Sequence, residues 1–243
     1  MTPEMRNVFS LLQPVETEHP LIRLGDFSDG GYLVPDDLRG IHACFSPGVS
    51  NVASFEMDLA KRGIRSFLAD ASVDAPPLSI RGSEFRKKFL GPETKDEFIT
   101  LGDWVNDCEV PDDADLILQM DIEGAEFDVL NATPDDVLNR FRIIVIEYHR
   151  IPAIMSKPKP QARATETFGK LGRLFDIVHI HPNNATQFVD LNGIQVPRLV
   201  EVTYLRKDRV TSRQKNTHIP HPLDAPNVKH KPDIDLPPEW YLD

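Results

Sequence analysis

Short apolar runs alternate with longer segments of helical periodicity along this sequence, and this alternation restricts the fold more than any other feature. The pattern is typical of βαβ units, in which helices cover both faces of a mostly parallel sheet. The run 143–146 (Ile-Ile-Val-Ile) is apolar at every position, which predicts a strand at the centre of that sheet. The predicted strands are 41–46, 64–69, 97–101, 115–121, 142–148, 175–181 and 198–205, and the predicted helices are 51–62, 81–89, 102–108, 124–131 and 161–174.

The same pattern divides the chain into three parts. An α/β domain is predicted over 41–205, and its last two strands should pair antiparallel because the link 181–197 contains no convincing helix. Residues 1–40 form an N-terminal extension that supplies a substrate or cofactor loop. The proline-rich segment 206–243 is predicted to be an extended or disordered arm, and its more apolar end, 237–242, can dock on the body.

Composition and charge argue against several classes of partner. The 243 residues include 27 Lys and Arg against 38 Asp and Glu, and the resulting net charge of −11 repels the phosphates of nucleic acid. No apolar stretch approaches the roughly 18–20 residues that cross a bilayer, so we expect no membrane segment or signal peptide. Cys44 and Cys108 have no metal-binding spacing, which favours free thiols and a cytoplasmic location. Nothing in the sequence specifies an oligomeric state.

Ligands of such sheets bind at the carboxyl ends of the strands, so the candidate site lies in the loops there. After the first strand, Gly48 precedes Ser50 and Asn51 at the start of a helix, where free backbone N–H groups can bind an anionic group. The second strand ends at Asp70, followed by Ala71, where a carboxylate can accept both hydroxyls of a ribose. The two loops together indicate an adenosine-containing cofactor.

The strongest local signal is an apolar strand that leads into a group of carboxylates. Asp121, Glu123 and Glu126 lie within one strand-to-helix turn, where the helix dipole stabilises them and an amine or a metal ion can bind. The next strand ends in Glu147 and His149. An imidazole titrates near neutral pH and can take a proton from a hydroxyl, so His149 is a candidate general base.

Several blocks carry a resemblance to a known family. They are 120–126 (MDIEGAE) and 145–149 (VIEYH), with 29–34 (DGGYLV), 45–49 (FSPGV), 54–56 (SFE), 99–104 (ITLGDW) and 179–184 (HIHPNN). In their order along the chain these blocks resemble the FkbM-type S-adenosylmethionine-dependent methyltransferases over about 22–206. The resemblance implies the class I methyltransferase fold, a Rossmann-like, seven-stranded, mostly parallel sheet with a C-terminal antiparallel hairpin.

The resemblance also implies a cofactor and an acceptor. S-adenosylmethionine would place its methionine end near 48–51, its ribose on Asp70 and its adenine near 101–104. The family is associated with O-methylation, so the expected acceptor is a hydroxyl on a sugar, a glycan or a related small molecule. Tyr32 and His181 are candidates to contact cofactor or acceptor. The predicted cofactor-binding residues are Gly48, Ser50, Asn51, Asp70, Ala71, Gly102, Asp103, Asp121 and Glu123.

Transfer to a hydroxyl also requires a way to remove its proton. In the favoured arrangement His149 accepts the proton, and Glu147 or Glu123 orients the imidazole. In the other arrangement Asp121 and Glu147 hold a divalent cation that binds the acceptor. The first requires no metal, whereas the second requires Mg²⁺ or a similar ion.

Three other functions compete with this interpretation. A metal-dependent hydrolase would use the cluster Asp121, Glu147, His149 and His181. A nicotinamide-dependent oxidoreductase would need a three-glycine fingerprint after the first strand, where only Gly48 is present. The third is a non-catalytic binding domain of the same fold, and the intact acidic residues at the strand ends count against it.

Overall fold

The computed structural model describes residues 2–49 and 52–241, and seven of their strands form one central sheet. The helices are α1 (Pro3–Ser10), α2 (Ser54–Lys61), α3 (Leu101–Asp107), α4 (Glu126–Ala132), α5 (Asp135–Leu138), α6 (Ile151–Ser156) and α7 (Pro158–Leu174). The strands are β1 (Val15–Glu16), β2 (Leu21–Leu24), β3 (Tyr32–Pro35), β4 (Ile41–Pro47), β5 (Arg65–Ala69), β6 (Glu84–Arg86), β7 (Phe89–Leu90), β8 (Phe98–Ile99), β9 (Asp115–Met120), β10 (Phe141–Tyr148), β11 (Phe175–Pro182), β12 (Val189–Leu191), β13 (Ile194–Val196), β14 (Val200–Arg206) and β15 (Gln214–Lys215).

The central sheet has the strand order β11-β14-β10-β9-β4-β5-β6. Neighbouring strands from β10 to β6 are parallel, while β14 is antiparallel to both β10 and β11. This confirms the predicted seven-stranded, mostly parallel sheet with a final antiparallel hairpin. All eight residues of β10 are buried, as the apolar run 143–146 predicts, but β9 takes the middle position.

Two secondary-structure predictions are wrong, and both fall between β5 and α3. The predicted helix 81–89 is absent, because residues 84–86 form β6 and pair in parallel with β5. Gly82 has a φ of +80°, a left-handed conformation that interrupts a helix just before that strand. The predicted strand 97–101 shortens to β8, which pairs in parallel with β7 in a separate two-stranded sheet.

Different elements cover the two faces of the sheet, because side chains alternate along each strand. On β4, Phe45 joins a large core with Trp104 of α3 and Phe127 of α4. Cys44 points the other way, into a core that Tyr32 of β3 and Phe55 of α2 complete. The hairpin of β2 and β3 therefore lies over the face on which Tyr32 is buried, close to the carboxyl ends of the strands.

The segment after β14 packs against the body along much of its length. Trp240 is fully buried, and its ring centroid lies 4.9 Å from that of Phe9 in α1. Asn184 donates hydrogen bonds of 3.0–3.3 Å to the carbonyl oxygens of Val228, Lys231 and Pro232. The apolar end of the chain therefore docks on the domain, as its composition indicates.

Two further observations concern the cysteines and the lengths of the helices. Cys44 and Cys108 are buried free thiols. Within residues 2–49 and 52–241, no helix combines the length and the apolar character needed to span a bilayer.

Candidate functional site

A cavity of about 480 Å³ opens where β4, β5 and β9 end. A volume in this range is typical of small-molecule sites. Its apolar wall consists of Val49, Val52, Phe89, Leu90 and Phe98, and its acidic residues include Asp29, Asp70, Asp121 and Glu123. The lining thus combines apolar and aromatic residues with acidic ones, which suits a ligand with an aromatic ring and a positive charge.

Gly48 forms the tight floor of this cavity. Its φ is +86°, and a Cβ placed on it would lie 1.5 Å from the backbone oxygen of Asp121. The Gly48 N–H donates to the oxygen of Ala69 at 2.9 Å, and the Asp121 N–H donates to the oxygen of Pro47 at 3.3 Å. Only glycine fits this approach of the β4 and β9 ends, so its role is as much in packing as in ligand binding.

Asp70 lies directly after β5 and is 4% exposed. Its Oδ1 accepts hydrogen bonds from the N–H and the hydroxyl of Ser72, at 2.8 and 2.6 Å. These bonds fix the carboxylate on the cavity wall, at the strand end where a ribose is expected.

A chain of buried hydrogen bonds runs below the cavity from Glu56 to Tyr32. The Ser46 hydroxyl lies 2.5 Å from Glu56 Oε1 and 2.8 Å from Gln119 Oε1. The single hydrogen of the Ser46 hydroxyl can serve only one of these oxygens at a time, and burial raises the pKa of Glu56 above its ordinary value. Gln119 Nε2 in turn donates to the Tyr32 hydroxyl at 3.3 Å. Tyr32 is therefore held in place at the cavity, where its ring is 3% exposed.

His149 follows β10 and lies at the acidic side of the cavity. Its Nδ1 is 3.0 Å from Glu126 Oε1 and 3.2 Å from the backbone oxygen of Glu147. Because both neighbours are acceptors, Nδ1 must carry the hydrogen. Nε2 then faces Asp121 Oδ1 at 3.7 Å and Glu123 Oε2 at 3.4 Å.

Glu126, rather than the side chain of Glu147 or Glu123, thus orients the imidazole. Glu126 is fully buried at the start of α4, and its Oε1 also accepts the Gly124 N–H at 2.9 Å. The Glu147 carboxylate instead accepts from Asn183 Nδ2 at 3.0 Å.

The ionisable groups around His149 shift one another's pKa values. Burial is the largest cause that raises the pKa of Asp121 to about 7, while His149 opposes the shift and Glu123 adds to it. Burial lowers the pKa of His149, but the hydrogen bond and charge of Glu126 outweigh burial, so the pKa lies above its ordinary value. Burial and the charge of Asp121 raise the pKa of Glu147 well above its ordinary value. This edge is rich in carboxylates and favours a positively charged ligand.

The structure brings together only part of the predicted set. Gly48, Asp70, Asp121, Glu123 and Tyr32 line the cavity, and His149 contacts two of them. Ala71, Gly102, Asp103, Glu147 and His181 are not among the residues that line it within the described chain. Ser50 and Asn51 lie outside the described residues.

Gly102 and Asp103 miss the cavity because of how α3 begins. Thr100 caps the helix by accepting the Asp103 N–H at 3.1 Å, and Leu101 and Trp104 enter the core. The Asp103 carboxylate accepts from the exposed Thr94 hydroxyl. Phe89 and Phe98 line the cavity instead, and they could not be predicted because β7 and β8 are only two residues long.

His181 is buried beneath the C-terminal arm rather than at the cavity. Its Nδ1 lies 3.3 Å from Glu201 Oε2 and its Nε2 lies 3.4 Å from an oxygen of Asp233. Burial opposes its protonation, but Asp233 and Glu201 outweigh burial and raise the pKa of His181 from 6.5 to about 10.

The pairing of His181 predicts a pH-dependent contribution to stability. Because the pKa of His181 is higher in the folded chain than in the unfolded chain, its protonation contributes fully to the free energy of unfolding below about pH 6.5. This contribution is lost as the pH rises towards about 10. We expect the difference in free energy of unfolding between the wild type and His181→Gln, measured by urea denaturation, to shrink over this interval. A difference that stays constant from pH 6 to about 10 would contradict the assignment.

The sequence model described as "Methyltransferase FkbM domain" matches residues 64–186. No curated protein sequence matches the chain. Among solved structures, magnesium protoporphyrin IX methyltransferase from Synechocystis PCC 6803, with bound SAM, aligns at a TM-score of 0.30 and 13% identity, over 70% of this chain and 72% of that one. A TM-score this low supports no conclusion about this chain.

Proposed function

Because this chain belongs to the FkbM methyltransferase family and is an S-adenosylmethionine-dependent methyltransferase, we propose that it methylates a hydroxyl on a small polar acceptor such as a sugar or glycan. Family membership decides against the hydrolase, the nicotinamide-dependent oxidoreductase and the non-catalytic domain. The observation that carries the hydroxyl acceptor is the orientation of His149, whose Nε2 faces two carboxylates at the edge of the cavity.

The residues that line the cavity fit S-adenosylmethionine. Phe89 and Phe98 offer flat apolar surfaces for an adenine ring, and Phe98 is 40% exposed although it is aromatic. Asp70 is fixed at the strand end that suits a ribose. The acidic residues of the lining, Asp29 among them, supply negative charge for the amine and the sulfonium.

S-adenosylmethionine supplies a methyl group on a sulfonium sulfur, which keeps the carbon–sulfur electron pair when the acceptor oxygen bonds to the methyl carbon. What remains for the protein is to align the hydroxyl and remove its proton. The group formed by Asp121, Glu123, Glu126 and His149 is the centre we assign to that proton, because an alcohol does not ionise near neutral pH unaided. Carboxylates at this edge can also accept hydrogen bonds from neighbouring hydroxyls of a sugar.

The charge of the chain supports the same class of acceptor. A net charge of −11 disfavours nucleic acid and anionic membrane surfaces as substrates. A small neutral polyol meets no such repulsion. Two free thiols fit a reducing, cytoplasmic location, which we include in the proposal.

The reaction is tested by incubating the enzyme with S-adenosylmethionine and a panel of sugars, other alcohols, amines and thiols. We expect S-adenosylhomocysteine to form with at least one hydroxyl compound, and we expect NMR of the product to show a new O-methyl group. Transfer that occurs only to nitrogen, carbon or sulfur would refute the hydroxyl acceptor.

Asp70 provides the test of cofactor placement. Asp70→Ala should weaken calorimetric binding of S-adenosylhomocysteine by about 10–150-fold, since a hydrogen bond to a charged group contributes about 1.5–3 kcal/mol. Asp103→Ala is the matched control, because Asp103 is a carboxylate that the sequence also predicted to bind the cofactor but that does not line the cavity. Equal affinities for the two variants would overturn the ribose assignment.

A further inference from the structure

Three side chains that follow the neighbouring strands β9 and β10 bring metal-ligating atoms close together beside the cavity. Asp121 follows β9, His149 follows β10, and Glu123 lies between β9 and α4. One ligand atom from each lies within 4.8 Å of the other two. We infer that Asp121, Glu123 and His149 form a site for a divalent metal ion of the Mn²⁺ type, which positions the acceptor hydroxyl.

The distances between these ligand atoms leave room for an ion between them. His149 Nε2 is 3.7 Å from Asp121 Oδ1 and 3.4 Å from Glu123 Oε2, which is too long for a good hydrogen bond. Two ligands that each lie about 2.1 Å from one ion are roughly 3 Å apart when adjacent, so small side-chain adjustments would complete the set.

The second observation is the support behind His149. Metal-bound histidines usually donate their other ring N–H to a carboxylate or a backbone carbonyl, which fixes the lone pair on the metal-facing nitrogen. His149 Nδ1 has both kinds of partner, Glu126 Oε1 and the Glu147 carbonyl. Glu126 is fully buried, so it is fixed in this role rather than exposed to solvent.

An unpaired oxygen provides a third observation. Among the described residues, Asp121 Oδ1 is inaccessible to solvent and has no hydrogen-bond donor. A buried carboxylate oxygen without a donor costs free energy, and a cation would compensate it. Asp121 Oδ1 is also the atom that faces His149 Nε2.

The donor set indicates the class of ion. Two carboxylates favour hard ions such as Mg²⁺ and Mn²⁺, whereas an imidazole nitrogen shifts the preference towards transition metals. Mn²⁺ satisfies both, and three protein ligands leave positions for acceptor oxygens. Glu147, the ligand expected from the sequence, is replaced in this set by Glu123 and His149.

The consequence for the reaction rests on the proposed function. A hydroxyl bound to the ion becomes more acidic and can release its proton to water before its oxygen accepts the methyl group. Nε2 of His149 would then be occupied by the ion, so His149 would act as a ligand and not as the base.

The test is direct titration of the apo-protein with Mn²⁺, in which electron paramagnetic resonance measures the loss of the free-ion signal. We expect one saturable site per chain. Glu123→Gln and His149→Gln should remove it, and Glu126→Gln should weaken it by about 10–100-fold, as loss of a supporting carboxylate does. His42→Ala is the matched control for loss of an imidazole, because His42 is exposed on β4.

Glu123 makes the test robust, because its side chain is 87% exposed and its substitution should not affect folding. Absence of saturable Mn²⁺ binding, or binding unchanged in Glu123→Gln, would overturn the metal site. S-adenosylhomocysteine binding measured in EDTA tests the methyltransferase separately, since the cofactor should still bind there. Cofactor binding without Mn²⁺ binding would refute the metal site alone.

Discussion

Replacing His149 by alanine is expected to lower turnover by about 10²–10⁴-fold, the usual contribution of a group that removes a proton, whether His149 does so directly or through an ion that it holds. Nε2 is the only atom that faces both Asp121 and Glu123 among the described contacts of this cluster. Its loss should therefore affect kcat far more than binding of the cofactor. The measurement is initial-rate kinetics with the best hydroxyl compound of the panel, together with calorimetry of S-adenosylhomocysteine.

The same variant separates a metal ligand from a direct base. If His149 holds an ion, excess Mn²⁺ should partly restore His149→Ala, and EDTA should abolish wild-type activity. If His149 is the base, EDTA should leave the wild type intact, and high pH should partly rescue the variant. The control variant, His42→Ala, should have the activity of the wild type. Full activity of His149→Ala both with and without EDTA would refute both roles of His149.

The sheet could be predicted because its signal is local and repeated. Apolar strands such as 115–121 and 142–148 are bounded by turns and separated by amphipathic helices, so each element supports the same fold. The secondary structure between β5 and α3 was harder to predict, because β6, β7 and β8 have two or three residues each. Such short strands are specified by pairing with their neighbours and leave no periodicity in the sequence.

The residues of the site could likewise be predicted only where the sequence carries a local signal. Gly48, Asp70 and Asp121 lie at the cavity because the rule that ligands bind at carboxyl strand ends needs only the strand boundaries. His181 also lies at a strand end, yet it is covered, because Asp233 in the distant arm pairs with it. Contacts across 52 residues of sequence have no local signal, so that burial was not predictable.

Gly48→Ala should cause the largest loss of stability among single methyl additions at this site. Its φ of +86° costs an L-residue about 1–2 kcal/mol, and overpacking in a tight environment adds about 1–3 kcal/mol. The added methyl would lie 1.5 Å from the Asp121 backbone oxygen, so the ends of β4 and β9 must separate. Because this junction forms the cavity floor, S-adenosylhomocysteine affinity should fall as well.

Gly63→Ala is the control that separates these two costs. Gly63 has a similar φ of +78°, but a Cβ there would have no described atom within 4 Å. Gly63→Ala should therefore lose only the free energy of unfolding that the positive φ costs, and its affinity for S-adenosylhomocysteine should not change. The difference in free energy of unfolding between the two variants, measured by urea denaturation, then gives the cost of the steric clash at Gly48. If Gly48→Ala matches Gly63→Ala in both unfolding free energy and S-adenosylhomocysteine affinity, the β4 and β9 ends tolerate separation and Gly48 does not define the cavity floor.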